Sequence, residues 1–563
     1  MTLWLSSFPD LDNGLPRLSP RAAGWLRHLH RKATTSDDWS EDGQPLGWWD
    51  QSSTPPMFAF PRFDLSESSY ALGVMADQTP AWREVYGDIL ARLAERHVTY
   101  WGAIDWLTQF GHDPRRGNYP QEWIDLLIPK HMVGNYDVPG WVANGIEPWG
   151  LQPDPIGADG NLFFKGWLNL LQSMHGYVTG EDPWGSPWQV AGVDRSRFEW
   201  TQHRLVSHLV EQWTRNPLGV HCENTKIYPL CLSAAGLGLQ LYDAVFGQSC
   251  HAVYDEWLER NKSFYFGIDP QSGKLDWAAF YYDPTIRHMQ KGWPASTLGI
   301  AFYMLPQEPV FAEYLYRSGV ALLGWNDYAK PIVVANARVA ALGLAVSREF
   351  GDYVTEARLR QWADAHFDPR WFGDGEFGFW FHLPEAWPRG QFSALAMVSE
   401  VGPPGSWARL FRQPNLSKFS EPTVEGVDYP RLGIAQAWND PASGVLQVAT
   451  YAGEARGRQG ETSFRVTRLP NSADVQILHD GEPFHAWRAT APDAISVDTT
   501  FGNHVFQIFT GHRSGAIHGL VSETRSRQPG AGSASARLAE AARPPDLHLL
   551  SAASAACACC AAA

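Results

Sequence analysis

The sequence predicts a mainly α fold: an (α/α)6 toroid, or helical-hairpin barrel, followed by a small antiparallel β region and a disordered Ala-rich tail. Three observations carry this expectation. Fully apolar helical segments alternate with amphipathic ones. The apolar period changes from helical to two near residue 420. Beyond residue 526 the chain is rich in Ala, mixed with Ser, Pro, Gly and Arg. The expected domains are 1–419, the toroid with the catalytic centre; 420–525, the β domain; and 526–563, the tail.

The segments expected to be buried on every side are 65–76, 161–179, 229–246, 294–305, 330–347 and 391–400. Segment 229–246 is apolar or small nearly all round until Asp243. Between these lie amphipathic segments at 80–97, 194–213, 251–266, 308–325 and 351–366, with a further outer helix near 19–33. In 80–97, Trp82, Val85, Tyr86, Ile89, Leu90 and Leu93 share a stripe opposite Arg83, Glu84, Asp88 and Arg92. Inner helices wrapped by outer ones close a ring, the alternative being an irregular helical bundle. After residue 420, Val445–Thr450, Val475–Ile477, 494–498 and 504–510 read as strands, and His479-Asp480-Gly481-Glu482 as a hairpin turn.

The chain has 563 residues, enough for three to four domains of ~150 residues. Lys and Arg number 45 against 60 Asp and Glu, and the net charge of −15 argues against nucleic acid or an anionic membrane surface as partner. Hydrophobic residues at 44% and charged ones at 19% describe a globular chain, and 27 Trp make it unusually aromatic. Six Cys are too few for a disulfide framework. Cys557, Cys559 and Cys560 lie in the tail, whose end (Cys560-Ala561-Ala562-Ala563) has the form of a prenylation box without a supporting polybasic stretch. The N-terminus lacks the basic and apolar regions of a signal peptide, and no uncharged apolar run approaches 18 residues. The expectation is a cytoplasmic protein with no membrane span.

Phosphate loops, dinucleotide fingerprints, zinc-protease motifs, paired Cys-x-x-Cys in the body and nucleophile elbows are missing from the sequence. The expected chemistry uses acid, base and thiol groups, with no cofactor and no metal. The informative segment is His221-Cys222-Glu223-Asn224-Thr225-Lys226-Ile227-Tyr228-Pro229-Leu230-Cys231. Pro229 suits a first helical turn, and Cys231 follows in that turn, where helix dipoles favour thiolates. Cys222, Cys231 and Glu223 are candidates for a proton donor and acceptor pair, or for a nucleophile and its partner. The competing reading is that buried Cys are small hydrophobes.

Two cysteines nine apart opening a buried helix in an apparent α/α ring resemble the linalool dehydratase/isomerase family. Phe163-Phe164-Lys165-Gly166-Trp167 and Gly292-Trp293-Pro294-Ala295-Ser296 resemble its neighbouring inner helices. The likeness covers about residues 55–400 and rests chiefly on the Cys pair. It implies dehydration or isomerisation of an allylic terpenoid alcohol, a small apolar hydroxylated substrate, without metal or organic cofactor. Cys222 and Cys231 would be the catalytic thiols and Asp64, or else Asp50, the acid. A homo-oligomer is likewise implied, because the family's pocket is completed by a neighbouring subunit. The chain departs from the pattern at Trp167, where a histidine is expected (His175 lies two turns later), and at Phe63, where a tyrosine is expected.

Trp167, Tyr228, Tyr281, Tyr282 and Trp293 lie on or near presumed inner elements and would line an apolar pocket, where ring faces stabilise an allylic cation. As core residues they would simply fill space. His131, Tyr136 and Asp137 form either a proton relay or a loop hydrogen-bond network. Two other functions compete with the lyase or isomerase. One is a carbohydrate-active toroid, glycosidase or polysaccharide lyase, using carboxylates such as Asp137 and Glu223 about 5–10 Å apart. The other is a non-catalytic relic of the barrel whose cavity is filled by Trp167.

Overall fold

The computed structural model describes residues 8–9, 11, 13–35, 60–99, 146–147, 150–151, 154–192, 196–222, 226–284, 287–292, 294–379, 389–453 and 460–510. Its helices are α1 (Pro20–Thr34), α2 (Phe60–Ala76), α3 (Glu84–His97), α4 (Leu162–Thr179), α5 (Gln202–Arg215), α6 (Pro229–Phe246), α7 (Ala252–Tyr265), α8 (Ser296–Met304), α9 (Pro309–Leu322), α10 (Ala337–Glu349), α11 (Tyr353–His366), α12 (Arg389–Val401) and α13 (Ser406–Arg412). Several starts are fixed by side-chain caps that satisfy otherwise orphaned amide groups. Ser19 accepts from Ala22 N, Thr201 from Arg204 N, Asn336 from Val339 N and Asp352 from Thr355 N. Two caps shorten the expected helices. Residues 197–200 form a strand before Thr201, and 330–335 stay non-helical ahead of Asn336.

The apolar helices pack in a cycle: α2 against α4, then α6, α8, α10, α12 and back to α2. Neighbours run parallel where small residues let them meet. A methyl group added at Gly166 of α4 would sit 2.7 Å from the Ala235 Cβ of α6, and Gly238 faces Leu170 further along the same pair. Between α2 and α4, Phe63 stacks on Phe163 at 5.5 Å, and Gly73 abuts Met174. Helices α3, α9 and α11 pack outside the cycle on their sequence neighbours, and α1 packs on α3 and α12. The short α13 touches α2, α6 and α10, alternate members of the cycle, and so sits on its axis. It closes the end where these helices finish: Glu349, the last residue of α10, accepts from Trp407 N and Ala408 N. Trp407 stacks on Phe302 at 4.7 Å and donates its indole N–H to the Phe302 carbonyl.

Strands are not confined to the chain's last third. Short antiparallel pairs join β1 (Ile146–Glu147) to β2 (Gly150–Leu151), and β3 (Trp188–Ala191) to β4 (Arg197–Trp200). β5 (Phe266–Ile268), β6 (Leu275–Asp283) and β7 (His288–Lys291) form one sheet, and β8 (Pro369–Trp371) pairs with β9 (Phe377–Phe379). Two larger sheets follow. One has the order β10 (Thr423–Glu425), β13 (Glu461–Thr467), β17 (Ala494–Thr500), β16 (Trp487–Ala491). The other has the order β11 (Leu432–Asp440), β12 (Val445–Ala452), β18 (His504–Phe509), β14 (Gln476–His479), β15 (Glu482–Pro483). They share the helices' apolar core, which includes Ile434, Leu446, Phe464, Ile495 and Phe506. Val424 and Trp82 form a parallel bridge between the two regions.

With about 47% of the described residues helical and about 21% in strands, the fold is mixed α and β, which overturns the mainly α toroid as a fold class. The sequence hid these strands for two physical reasons. Pairs such as Trp188–Ala191 with Arg197–Trp200 are too short to display a period of two. In β6, Ala278, Ala279, Tyr281 and Asp283 are all buried, so the strand reads as a continuous apolar run. Helix α6 is, by length and composition, apolar enough to cross a membrane. With 67% of it buried inside the fold, it is a core helix here.

Candidate active site

The thiol segment is built onto the entrance of the cycle. Asn161, in the left-handed region at φ 62, precedes α4, and its side-chain amide donates to the Pro155 carbonyl. The first free amides of α4 are taken up by the thiol loop: Asn161 N donates to Cys222 O at 2.8 Å and Leu162 N to His221 O at 3.1 Å. Cys222 N in turn donates to Lys226 O at 2.7 Å. Lys226 is locked by Asp283 of β6 at 3.2 Å, both side chains having no exposure, while Ile227 and Tyr282 exchange backbone hydrogen bonds of 2.8 and 2.9 Å. The chain then enters α6 at Pro229. The α4–α6 register that sets Gly166 beside Ala235 puts Cys231 level with Leu162, so both cysteines lie at the N-terminal mouth of this helix pair. Both are buried free thiols.

Lys165 lies one turn into α4 with no exposure, and donates to the carbonyls of Ile156 (3.1 Å) and Ala158 (2.6 Å). Burial draws its pKa down to about 7, against the opposing pull of Asp154 and Asp159. Cys222 is close enough to contribute to its electrostatics. The mouth therefore holds an amine able to exchange a proton near neutral pH.

Deeper along the axis lies a polar cluster. Glu67 of α2 is fully buried and accepts a 3.0 Å hydrogen bond from the Tyr303 hydroxyl of α8. In the cyclic order α2 and α8 are opposite, so this bond crosses the axis. The Tyr70 hydroxyl donates to Tyr303 at 3.3 Å, and the Trp167 ring reaches Tyr303 at 5.7 Å and Phe63 at 6.0 Å. Desolvation pushes the Glu67 carboxyl up to about 7, although Arg338, Tyr303 and Gln391 pull it back and Asp64 adds to the rise. Its Oε2, the Trp167 indole N–H and both amide atoms of Gln391 make no well-formed hydrogen bond. Gln391 nonetheless approaches Glu67 closely enough to act on its titration. Such a cluster suits a carboxylic acid that gives its proton to a polar group in a dry interior.

Among the expected site residues, Cys222, Cys231 and Tyr228 come together at the mouth, with the Tyr228 ring 5.5 Å from Tyr281. Tyr282 belongs to another face. Neighbours on β6 alternate, and its ring packs on Phe264 of outer helix α7 at 5.0 Å. Trp167 is on the axis, level with the acid cluster. Asp64 is buried and committed to an ion pair with Lys32, with Ser68 donating to the same oxygen. His175, the alternative histidine, packs on Trp184 near the far end of α4, and burial depresses its pKa to about 4. Glu223, Trp293, His131 and Tyr136 lie outside the described residues, as do Asp50 and Asp137, and with them the carboxylate pair of the carbohydrate-active alternative.

The sequence reading missed Glu67, Tyr70, Tyr303, Arg338, Gln391 and Lys165. One signal was available: Asp64, Glu67 and Tyr70 recur every third residue in an otherwise small or apolar helix, which puts them on one face. The surface cleft of about 430 Å³ lined by Arg21, Pro369, Arg370, Trp371 and Phe377 does not involve the thiols or this cluster.

Thiols, an amine and a buried carboxyl within an apolar ring are groups able to exchange protons with one another and with a bound molecule. Residues 142–377 match the family model described as linalool dehydratase/isomerase, in keeping with the resemblance carried by the Cys pair. The match spans both thiols, Lys165, Trp167 and Tyr303, whereas Asp64, Glu67, Gln391 and the two large sheets fall outside it. Two solved structures are similar at a low level. An endoglucanase, CelQ, from Clostridium thermocellum, complexed with cellotriose, is 10% identical, with a TM-score of 0.34 over 88% of this chain and 93% of that one. A GH127 β-L-arabinofuranosidase from Geobacillus stearothermophilus T6 is 11% identical, with a TM-score of 0.25 over 90% and 77%. Scores this low carry no argument about activity.

Proposed function

We propose that this protein is a carbon–oxygen lyase or isomerase of the linalool dehydratase/isomerase type, acting on a small allylic alcohol of terpenoid character with its own side chains. The observation that carries the reading is Glu67: a fully buried carboxyl on the ring axis, titrating near 7, with one oxygen lacking a well-formed hydrogen bond. Protonated Glu67 gives its proton to the substrate hydroxyl. The C–O bond breaks, water leaves, and an allylic cation remains. A thiolate of the Cys222/Cys231 pair takes a proton from the neighbouring carbon to give the diene, or water returns at the other allylic terminus to give the isomer. Lys165, titrating near 7 beside Cys222, takes that proton from the thiol and releases it to water. Glu67 regains one proton from water, so that alcohol becomes diene and water with no net change in the enzyme's protons. In the isomerisation the proton released by the returning water goes back to Glu67. The acid role moves from Asp64 to Glu67 because Asp64 is already paired with Lys32.

Dimensions support the assignment. Cys231 is level with Leu162, five residues before Trp167, so the thiol layer stands about 7–8 Å from the Trp167 layer along the axis. That separation suits a short isoprenoid skeleton lying between thiol and acid. Trp167 and Tyr228 present ring faces that stabilise positive charge by about 2 kcal/mol when desolvated.

The test is turnover of an allylic terpenol by Glu67→Gln and Asp64→Asn in parallel. A loss of at least a hundredfold in kcat for Glu67→Gln at unchanged folding supports the assignment. Full activity in that variant contradicts it.

A further inference from the structure

We propose that the turn between β14 and β15, together with the start of β18, forms a site for a divalent transition metal of the zinc class, ligated by His479 Nε2, His504 Nδ1 and Asp480 Oδ2. This site lies on the β sheets and is separate from the thiol and acid chemistry.

Strand register brings the ligands together. β14 pairs antiparallel with β18 so that His479 faces Phe506. His504 lies two residues before Phe506, and side chains two apart share a face, so both imidazoles project from the same side of the sheet. Asp480 and Gly481 follow with φ of 51 and 86, the left-handed pair that a two-residue hairpin turn requires, and this turn folds the carboxylate back over the two rings. His479 Nε2 is 2.9 Å from His504 Nδ1 and 3.1 Å from Asp480 Oδ2, and all three donor atoms lie within 4.8 Å of one another. Zinc bonds of about 2.0–2.1 Å in a tetrahedron set neighbouring donors about 3.3 Å apart. The two pairs made by His479 are within a few tenths of an ångström of that spacing, and the third pair lies within 4.8 Å.

Each ligand is already oriented by a second partner, as metal ligands commonly are. His504 Nε2 bonds to the Thr500 hydroxyl at 2.9 Å, which leaves Nδ1 with its lone pair toward His479. Asp480 Oδ1 accepts from Val505 N at 2.9 Å, which turns Oδ2 to the site. The His479 ring is stacked on Phe506 at 4.8 Å and edged by Phe484 at 5.1 Å. On metal entry His479 takes the tautomer with its proton on Nδ1. Two imidazoles and one carboxylate select zinc-like ions over magnesium or calcium, and three protein ligands leave a fourth position to water. The bound ion would pin the β14–β15 turn to β18.

The experiment uses the full chain with its thiols alkylated, because Cys557, Cys559 and Cys560 would otherwise take zinc themselves. Zn2+ is titrated calorimetrically, and Co2+ is followed by its visible d–d absorption. One equivalent with micromolar affinity is expected. His479→Gln and His504→Gln should each weaken binding at least tenfold, and His485→Gln, a control at an exposed histidine outside the site, should leave it unchanged. Circular dichroism and thermal denaturation in chelator establish that each variant is folded. The proposal is overturned if the alkylated wild type takes up no zinc below millimolar concentration. It is equally overturned if both glutamine variants bind as the wild type does, or if His485→Gln weakens binding as much.

Discussion

Tyr303 and Glu67 sit on opposite helices of the cycle, and a 3.0 Å hydrogen bond between them crosses its axis. The Tyr70 hydroxyl donates to Tyr303 behind them, and α13 closes the axis below with Trp407. The middle of the ring is thus an ordered polar layer between an aromatic plug and a mouth with two thiols.

A carboxyl whose folded pKa is about 7 against 4.5 ties stability to pH. Below about pH 4.5 both folded and unfolded chains hold the Glu67 proton. Between 4.5 and 7 only the folded chain holds it, so stability falls as pH rises, by ~3 kcal/mol in total. Glu67→Gln should remove this component. Urea denaturation at pH 5 and pH 7.5 should show the wild type losing ~2 kcal/mol more than the variant across that interval.

Tyr303→Phe deletes the hydrogen bond that holds the Glu67 pKa down. Removing a bond of ~1 kcal/mol to the charged form should raise the pKa by about a unit. The alkaline limb of the kcat–pH profile should then move upward, whereas a purely structural role for Tyr303 would lower kcat without moving the limb.

The Lys226–Asp283 pair has no exposure and fastens the thiol loop to β6. Lys226→Met should cost ~3–5 kcal/mol, because it removes the ammonium paired with a buried carboxylate, and should lower turnover by displacing Cys222. The double variant Lys226→Met/Asp283→Leu should recover most of the stability in denaturant titrations.

The sequence disclosed what has a long period or a local signal. Helices such as Pro229–Phe246 were legible from a proline at the first position and apolar residues on every side, and the Asp480-Gly481 turn from its dipeptide. The inter-helix strands were not, since three- or four-residue pairs carry no readable alternation. The thiols stood out through spacing and resemblance. The Glu67 cluster did not, because it unites residues from α2, α4 and α8 whose convergence follows only from closure of the ring. Asp64 drew attention by position, yet its partner Lys32 sits 32 residues away on α1, beyond any local pattern.

The most direct test is mass spectrometry of products after incubating the wild type and the Cys222→Ala/Cys231→Ala variant with a panel of allylic terpenols. The account predicts a dehydrated diene or an isomeric alcohol from the wild type, and none from the variant at a near-unchanged melting temperature. Full turnover by the thiol-free variant would contradict it.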